Sequence, residues 1–126
     1  MILFSPSKKM LVDQHKFMFE DNEQPYFIDK TKQLVNTIQI LKKQELALKM
    51  KIKNQTLEET YRYYKDFNLI QNTALNSYQG IAYQQINSDN FCYLKDNVYI
   101  LSALYGIVKS NTLISPYRLD FTMNKI

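Results

Sequence analysis

The chain has two glycines, three prolines, one cysteine, one histidine and no tryptophan in 126 residues. Two glycines cannot build a Walker-type loop or a dinucleotide fingerprint, which need several at fixed spacing. A lone cysteine, Cys92, rules out an internal disulfide and fits a reducing compartment. The one histidine, His15, sits in an irregular polar stretch with no cysteine nearby. A metal site needs several ligands at suitable spacing, so none is expected, and no cofactor is implied. No apolar run approaches the length of a membrane span. Met1-Ile2-Leu3-Phe4 is too short for a signal peptide and soon meets Pro6. The expectation is a soluble cytoplasmic protein with no membrane attachment.

Hydrophobic residues make up 45% of the chain and charged residues 22%, a globular composition. The length allows one domain, residues 1–126, with a real core. Sixteen Lys+Arg against twelve Asp+Glu give +4, which permits an anionic partner without requiring one. Abundant Lys, Asn, Ile and Tyr also fit an AT-rich coding sequence.

Ile2-Leu3-Phe4 reads as a buried strand ending at Ser5-Pro6. Residues 11–26 have no clean period and read as loop. From Asp29, a possible cap, Leu34, Val35, Ile38 and Leu41 recur at helical spacing. Beyond them, one long helix and two helices with a turn near Lys42–Gln44 both fit. Asn54-Gln55 reads as a break, and Thr56 with Glu59 forms a capping-box pattern opening another helix. Its Tyr61, Tyr63 and Tyr64 read as half-buried packing. Residues 74–86 read as helical with a kink at Gly80. Ser88 is placed as the cap of a short helix, Phe91–Leu94, with Cys92 as a small core residue. Val98–Leu101 is a β-branched and aromatic strand, followed by a Leu104-Tyr105-Gly106 turn. After Pro116, Tyr117, Leu119 and Phe121 alternate with Arg118 and Asp120, which reads as a further strand. The expected fold class is α/β, a mixed sheet with helices.

Two expected strands end alike, Phe4 at Ser5 and Leu101 at Ser102. If they lie parallel, Ser5, Lys8, Ser102, Tyr105 and Gly106 gather at their carboxyl ends, where open α/β sheets collect ligands. Arg118 would add a bidentate cation, completing a pocket for an anion such as phosphate. Alternatively the serines cap turns and Arg118 pairs with Asp120. Seven lysines between residues 30 and 53, Lys42 and Lys43 among them, form either a DNA-contacting face or a solvated helix surface.

Ser102-Ala-Leu-Tyr-Gly106 and Ser115-Pro-Tyr-Arg-Leu-Asp120 resemble the YaaA family of bacterial peroxide-stress proteins, whose usual forms are SGLYG and PYRLE. Leu3-Phe-Ser-Pro-Ser-Lys8 is similar to the family's opening ISPAK, and Tyr78-Gln-Gly-Ile-Ala-Tyr83 to its FxGDVY. Ile81 stands where that motif has Asp, Ala103 where it has Gly, and Asp120 where it has Glu. The resemblance covers nearly this whole chain but about the first half of a family member. It implies an incomplete N-terminal half of a larger domain. It further implies DNA binding in the response to hydrogen peroxide, limiting damage linked to intracellular iron. Its motifs fall on Ser5, Lys8, Ser102, Tyr105, Gly106, Tyr117 and Arg118. Two other readings stay open: an enzyme acting on a nucleotide or nucleobase at that pocket, and an inactive gene fragment.

Overall fold

The run at Val98 does form a strand, and it is the middle of the main sheet. A computed structural model describes residues 2–7, 10–11, 16–69 and 71–119. The elements are β1 (Ile2–Phe4), α1 (Ile28–Gln39), α2 (Lys43–Met50), α3 (Asn54–Lys65) and β2 (Asn72–Thr73). Three single-turn helices follow, α4 (Ala74–Ser77), α5 (Ile81–Gln84) and α6 (Phe91–Leu94). The remaining strands are β3 (Val98–Ser102), β4 (Gly106–Lys109) and β5 (Leu113–Ile114). The class is mixed α/β. The main sheet runs β1-β3-β4, with β1 parallel and β4 antiparallel to β3, while β2 and β5 form a small antiparallel pair.

Strand β3 shows why its sequence works. Val98, Ile100 and Ser102 are buried, while Tyr99 and Leu101 point the other way. Val108 of β4 covers Ile100, its register partner, and both are fully buried. The turn between the two strands needs a left-handed residue at its end, and Gly106 supplies it at φ +76°. A Cβ there would also stand 2.7 Å from a ring carbon of Phe27.

The helices form two packed turns around the core. Val35 and Ile38 of α1 are buried, with Leu34 and Leu41 half-buried beside them. Thr31 is buried too, and its hydroxyl donates to the Leu104 carbonyl at 3.0 Å, tying α1 to the β3–β4 turn. The lysine-rich segment is two helices, settling the open alternative: Ile40–Lys42 separate α1 from α2. Leu46 and Met50 carry the apolar face of α2 inward, and Ile52 in the turn after it is buried as well. Lys51 then adopts the left-handed conformation (φ 55°) that closes helices, usually a glycine's place.

Several expectations change. The segment 115–119 is not a strand; it runs irregularly, and Asp120 and Phe121 lie outside the described residues. There the Tyr117 hydroxyl bonds to Ser102 and the Arg118 carbonyl accepts the Tyr64 hydroxyl of α3, in place of a strand ladder. Helix α3 starts at Asn54, not Thr56, because the break falls at Lys51–Lys53. Neither Asp29 nor Ser88 is the cap: the capping positions are Phe27 and Asn90. At Gly80 (φ +140°) the stretch 74–86 splits into α4 and α5. Cys92 is exposed rather than buried. Helix α6 packs through Phe91, stacked on Phe17 at 4.9 Å, and through Leu94, leaving Cys92 and Tyr93 outside. Strands β2, β4 and β5 have no counterpart among the expected strands.

Candidate functional site

Parallel pairing of β1 with β3 brings their carboxyl ends side by side, with Phe4 opposite Ile100. Ser5 therefore leaves β1 next to the end of β3. The Ser102 hydroxyl oxygen accepts the N–H groups of Leu104 (3.2 Å) and Tyr105 (3.0 Å), which shapes the turn. It also lies 2.6 Å from the Tyr117 hydroxyl, which in turn lies 2.5 Å from that of Tyr78. A hydroxyl oxygen has two lone pairs. The Ser102, Tyr117 and Tyr78 hydroxyls therefore form one buried chain of hydrogen bonds anchored on two backbone N–H groups. Tyr105 packs edge-on against Tyr117 at 5.6 Å, and its hydroxyl accepts the Ser115 N–H at 2.9 Å.

The amino-terminal loop joins this seam through tyrosines. Tyr83 donates to the Ser5 carbonyl at 2.7 Å and stacks on Tyr78 at 5.9 Å. The Ser7 hydroxyl accepts the Gln79 N–H at 2.9 Å. Burial pushes the hydroxyls of Tyr78, Tyr83, Tyr105 and Tyr117 above the usual tyrosine range, so they are neutral hydrogen-bonding groups. Ser5, Ser102, Tyr105, Gly106 and Tyr117 are thus brought together. Lys8 and His15 lie outside the described residues.

Arg118 faces elsewhere. Its carbonyl accepts the Tyr64 hydroxyl of α3 at 2.8 Å. Its charge reaches Tyr63 of α3, whose pKa is raised by burial first and by Glu59 second, with Arg118 opposing both. The Arg118 Nε is buried and has no hydrogen-bond partner among the described residues. The arginine therefore belongs with α3 rather than with the serine hydroxyls.

Lys43 reaches from the first turn of α2 to both carboxylate oxygens of Glu58 on α3, at 2.8 and 2.9 Å, and its ammonium lies 5.1 Å from the Tyr61 ring. The Lys42 N–H donates to the Glu45 side chain at 3.1 Å, which holds the start of α2. Lys42, Lys51 and Lys53 are exposed at the two ends of α2 and make no ion pair among the described residues. Sequence reasoning missed Tyr78, Tyr83 and Tyr64 as the seam's links. Its signal was there, since Tyr78 and Tyr83 flank a recognised motif, but no periodicity tells which hydroxyl meets which. Among the described residues no group of acidic, histidine or cysteine side chains could hold a metal ion. No helix among them is long and apolar enough to cross a membrane.

Fold and site together define a mixed α/β protein with a buried serine–tyrosine seam beside a lysine-bearing helical hairpin. The family described as "Peroxide stress protein YaaA" matches residues 1–125, and the chain belongs to that family. A UPF0246 protein of Agathobacter rectalis is 32% identical over 126 residues, covering 94% of this chain and 50% of the relative. One from Fusobacterium nucleatum is 31% identical over 133 residues, covering 98% and 52%. One from Finegoldia magna is 33% identical over 126 residues, covering 95% and 50%. The chain spans about half the length of the curated relatives it matches.

Proposed function

We propose that this protein binds DNA through the α2–α3 hairpin as part of the response to hydrogen peroxide, limiting damage linked to intracellular iron. The family likeness supports the peroxide context. The single observation that carries DNA binding is the exposed cation set around the hairpin, Lys42, Lys51 and Lys53. Two helices joined by a three-residue turn hold the backbone that carries these charges on a fixed frame. Arg118 adds a partly exposed cation beside α3. The phosphate contact is electrostatic and indifferent to base sequence. Ser102, Tyr105 and Tyr117 support the frame in this reading, because their hydroxyls are already engaged within the fold.

The test is a salt titration of affinity for duplex DNA. Three lysine contacts give a log–log slope of about −3, from about −0.9 per neutralised phosphate. Changing Lys42, Lys51 and Lys53 together to Gln removes most of that slope. A flat plot for the unaltered chain overturns DNA binding. A steep plot that the triple variant leaves unchanged moves the contact to another face.

A further inference from the structure

The outer face of the main sheet carries exposed apolar side chains on all three strands, beside a polar border at Lys109 and Glu23. Register partners in a sheet share a face, so Leu3, Tyr99 and Lys109 line up across the three strands, and Leu101 pairs with Ile107 beside them. Leu3 is 53% exposed, Leu101 38% and Ile107 39%. The patch continues onto exposed Tyr26, whose ring lies 5.8 Å from the Lys109 ammonium. Neighbouring exposed apolar side chains with a polar rim mark a contact face.

The edge of the sheet is open at the same place. The Ile2 N–H bonds to the Asn97 carbonyl at 2.7 Å, so Ile2 faces β3. Alternate residues of a strand present their backbone groups to opposite sides, so Leu3 presents its N–H and carbonyl away from β3. Among the described residues β1 has no neighbour on that side. An unpaired edge beside bare leucine and isoleucine invites strand addition and apolar cover together. The relatives have about as much chain again as the matched portion. A cover of that length suits a sheet face and an edge better than a peptide or a small ligand does.

We propose that this face, with the β1 edge, docks a polypeptide equivalent to the half of the full-length relatives that this chain does not match. The polar rim agrees: Lys109 pairs with Glu23 at 3.6 Å, at the border of the apolar patch. A second copy of this chain is the competing occupant.

The test co-expresses the chain with the uncovered half of the Agathobacter rectalis protein and measures association by size exclusion and hydrogen exchange. The expected result is a heterodimer in which the Leu3 amide exchanges more slowly than in the free chain. Leu101→Lys and Ile107→Lys, both at exposed positions, should weaken association by about tenfold or more. Leu48→Lys on α2, at a 78% exposed position, should leave it unchanged. Absence of a heterodimer overturns the proposal. So does a heterodimer insensitive to both sheet substitutions, or a homodimer that uses this face instead.

Discussion

Ser102, Tyr78 and Tyr117 keep their hydroxyls for one another, out of water, whereas Lys42, Lys51 and Lys53 hold their charges in solvent. Both regions are polar, and both lie at recognised or charge-rich stretches of sequence. Their physics differs. In the seam each group has a fixed partner in low dielectric, so losing one partner leaves another stranded. In the hairpin water screens each charge, so any one can be replaced at small cost to the fold. The seam therefore holds the structure, and the hairpin is free to meet a ligand.

The strongest way to break this contrast is pH. Burial keeps the hydroxyls of Tyr64, Tyr78, Tyr83, Tyr105 and Tyr117 protonated well past the ordinary tyrosine range. In the unfolded chain they ionise near about pH 10. Below that value both states hold these protons, and the seam's contribution is complete. Above it the unfolded chain releases protons that the folded chain keeps, so stability falls as pH rises. Each tyrosine steepens the fall by about 1.4 kcal/mol per pH unit, and five together exhaust a stability of about 5–15 kcal/mol within a few units. Circular dichroism should be lost in one cooperative alkaline transition, together with the share of tyrosinate absorbance that the five buried tyrosines carry among the chain's ten. Absorbance for more than the five tyrosines outside the buried set, appearing before unfolding, would mean the seam is open to water.

A narrower strike is Tyr117→Phe. The ring contacts to Tyr105 and Tyr78 survive, but the hydroxyl between Ser102 and Tyr78 is lost. Stranding those two buried groups should cost about 1–3 kcal/mol, read as a lower midpoint in denaturant or heat. The alkaline transition should become less steep by one tyrosine. A variant as stable as the parent would show that the relay is replaceable and would erase the distinction drawn here.

The sequence made the frame legible where burial wrote a period or a residue type into it. The β-branched and aromatic run at Val98–Leu101, helical spacing at Val35 and Ile38, and a glycine after Leu104-Tyr105 all describe real features. The parallel pairing of Ile2–Phe4 with β3 was legible only as a condition, because parallel partners are set by long-range packing. Segment 115–119 misled because alternation also arises when successive side chains are claimed by different neighbours. Tyr117 goes to Ser102, while the charge of Arg118 acts at Tyr63 of α3. Cys92 misled because a single helical turn between aromatics buries only one side of itself. The site was legible as a set of residues from the family likeness, and not as a geometry. Nothing in SALYG or SPYRLD says that the serine meets the second tyrosine and not the arginine.

The smallest expected effect lies in the hairpin and sharpens the contrast from its other side. Lys43 makes the best-formed ion pair in the region, bonded to both oxygens of Glu58. The two side chains are 40% and 61% exposed. Solvent and salt weaken such a pair, and holding two long side chains in one geometry has an entropic cost. Lys43→Ala should therefore lower stability by only about 0.2–1 kcal/mol. The gap between variant and parent should close in molar salt, where the screening length is about 3 Å. The lost ring contact with Tyr61, at 5.1 Å, adds little at an exposed site. If Lys43→Ala instead cost as much as Tyr117→Phe and resisted salt, the pair would behave as a buried one. The hairpin would then belong to the structural frame, and its lysines would be poor candidates for a surface that meets DNA.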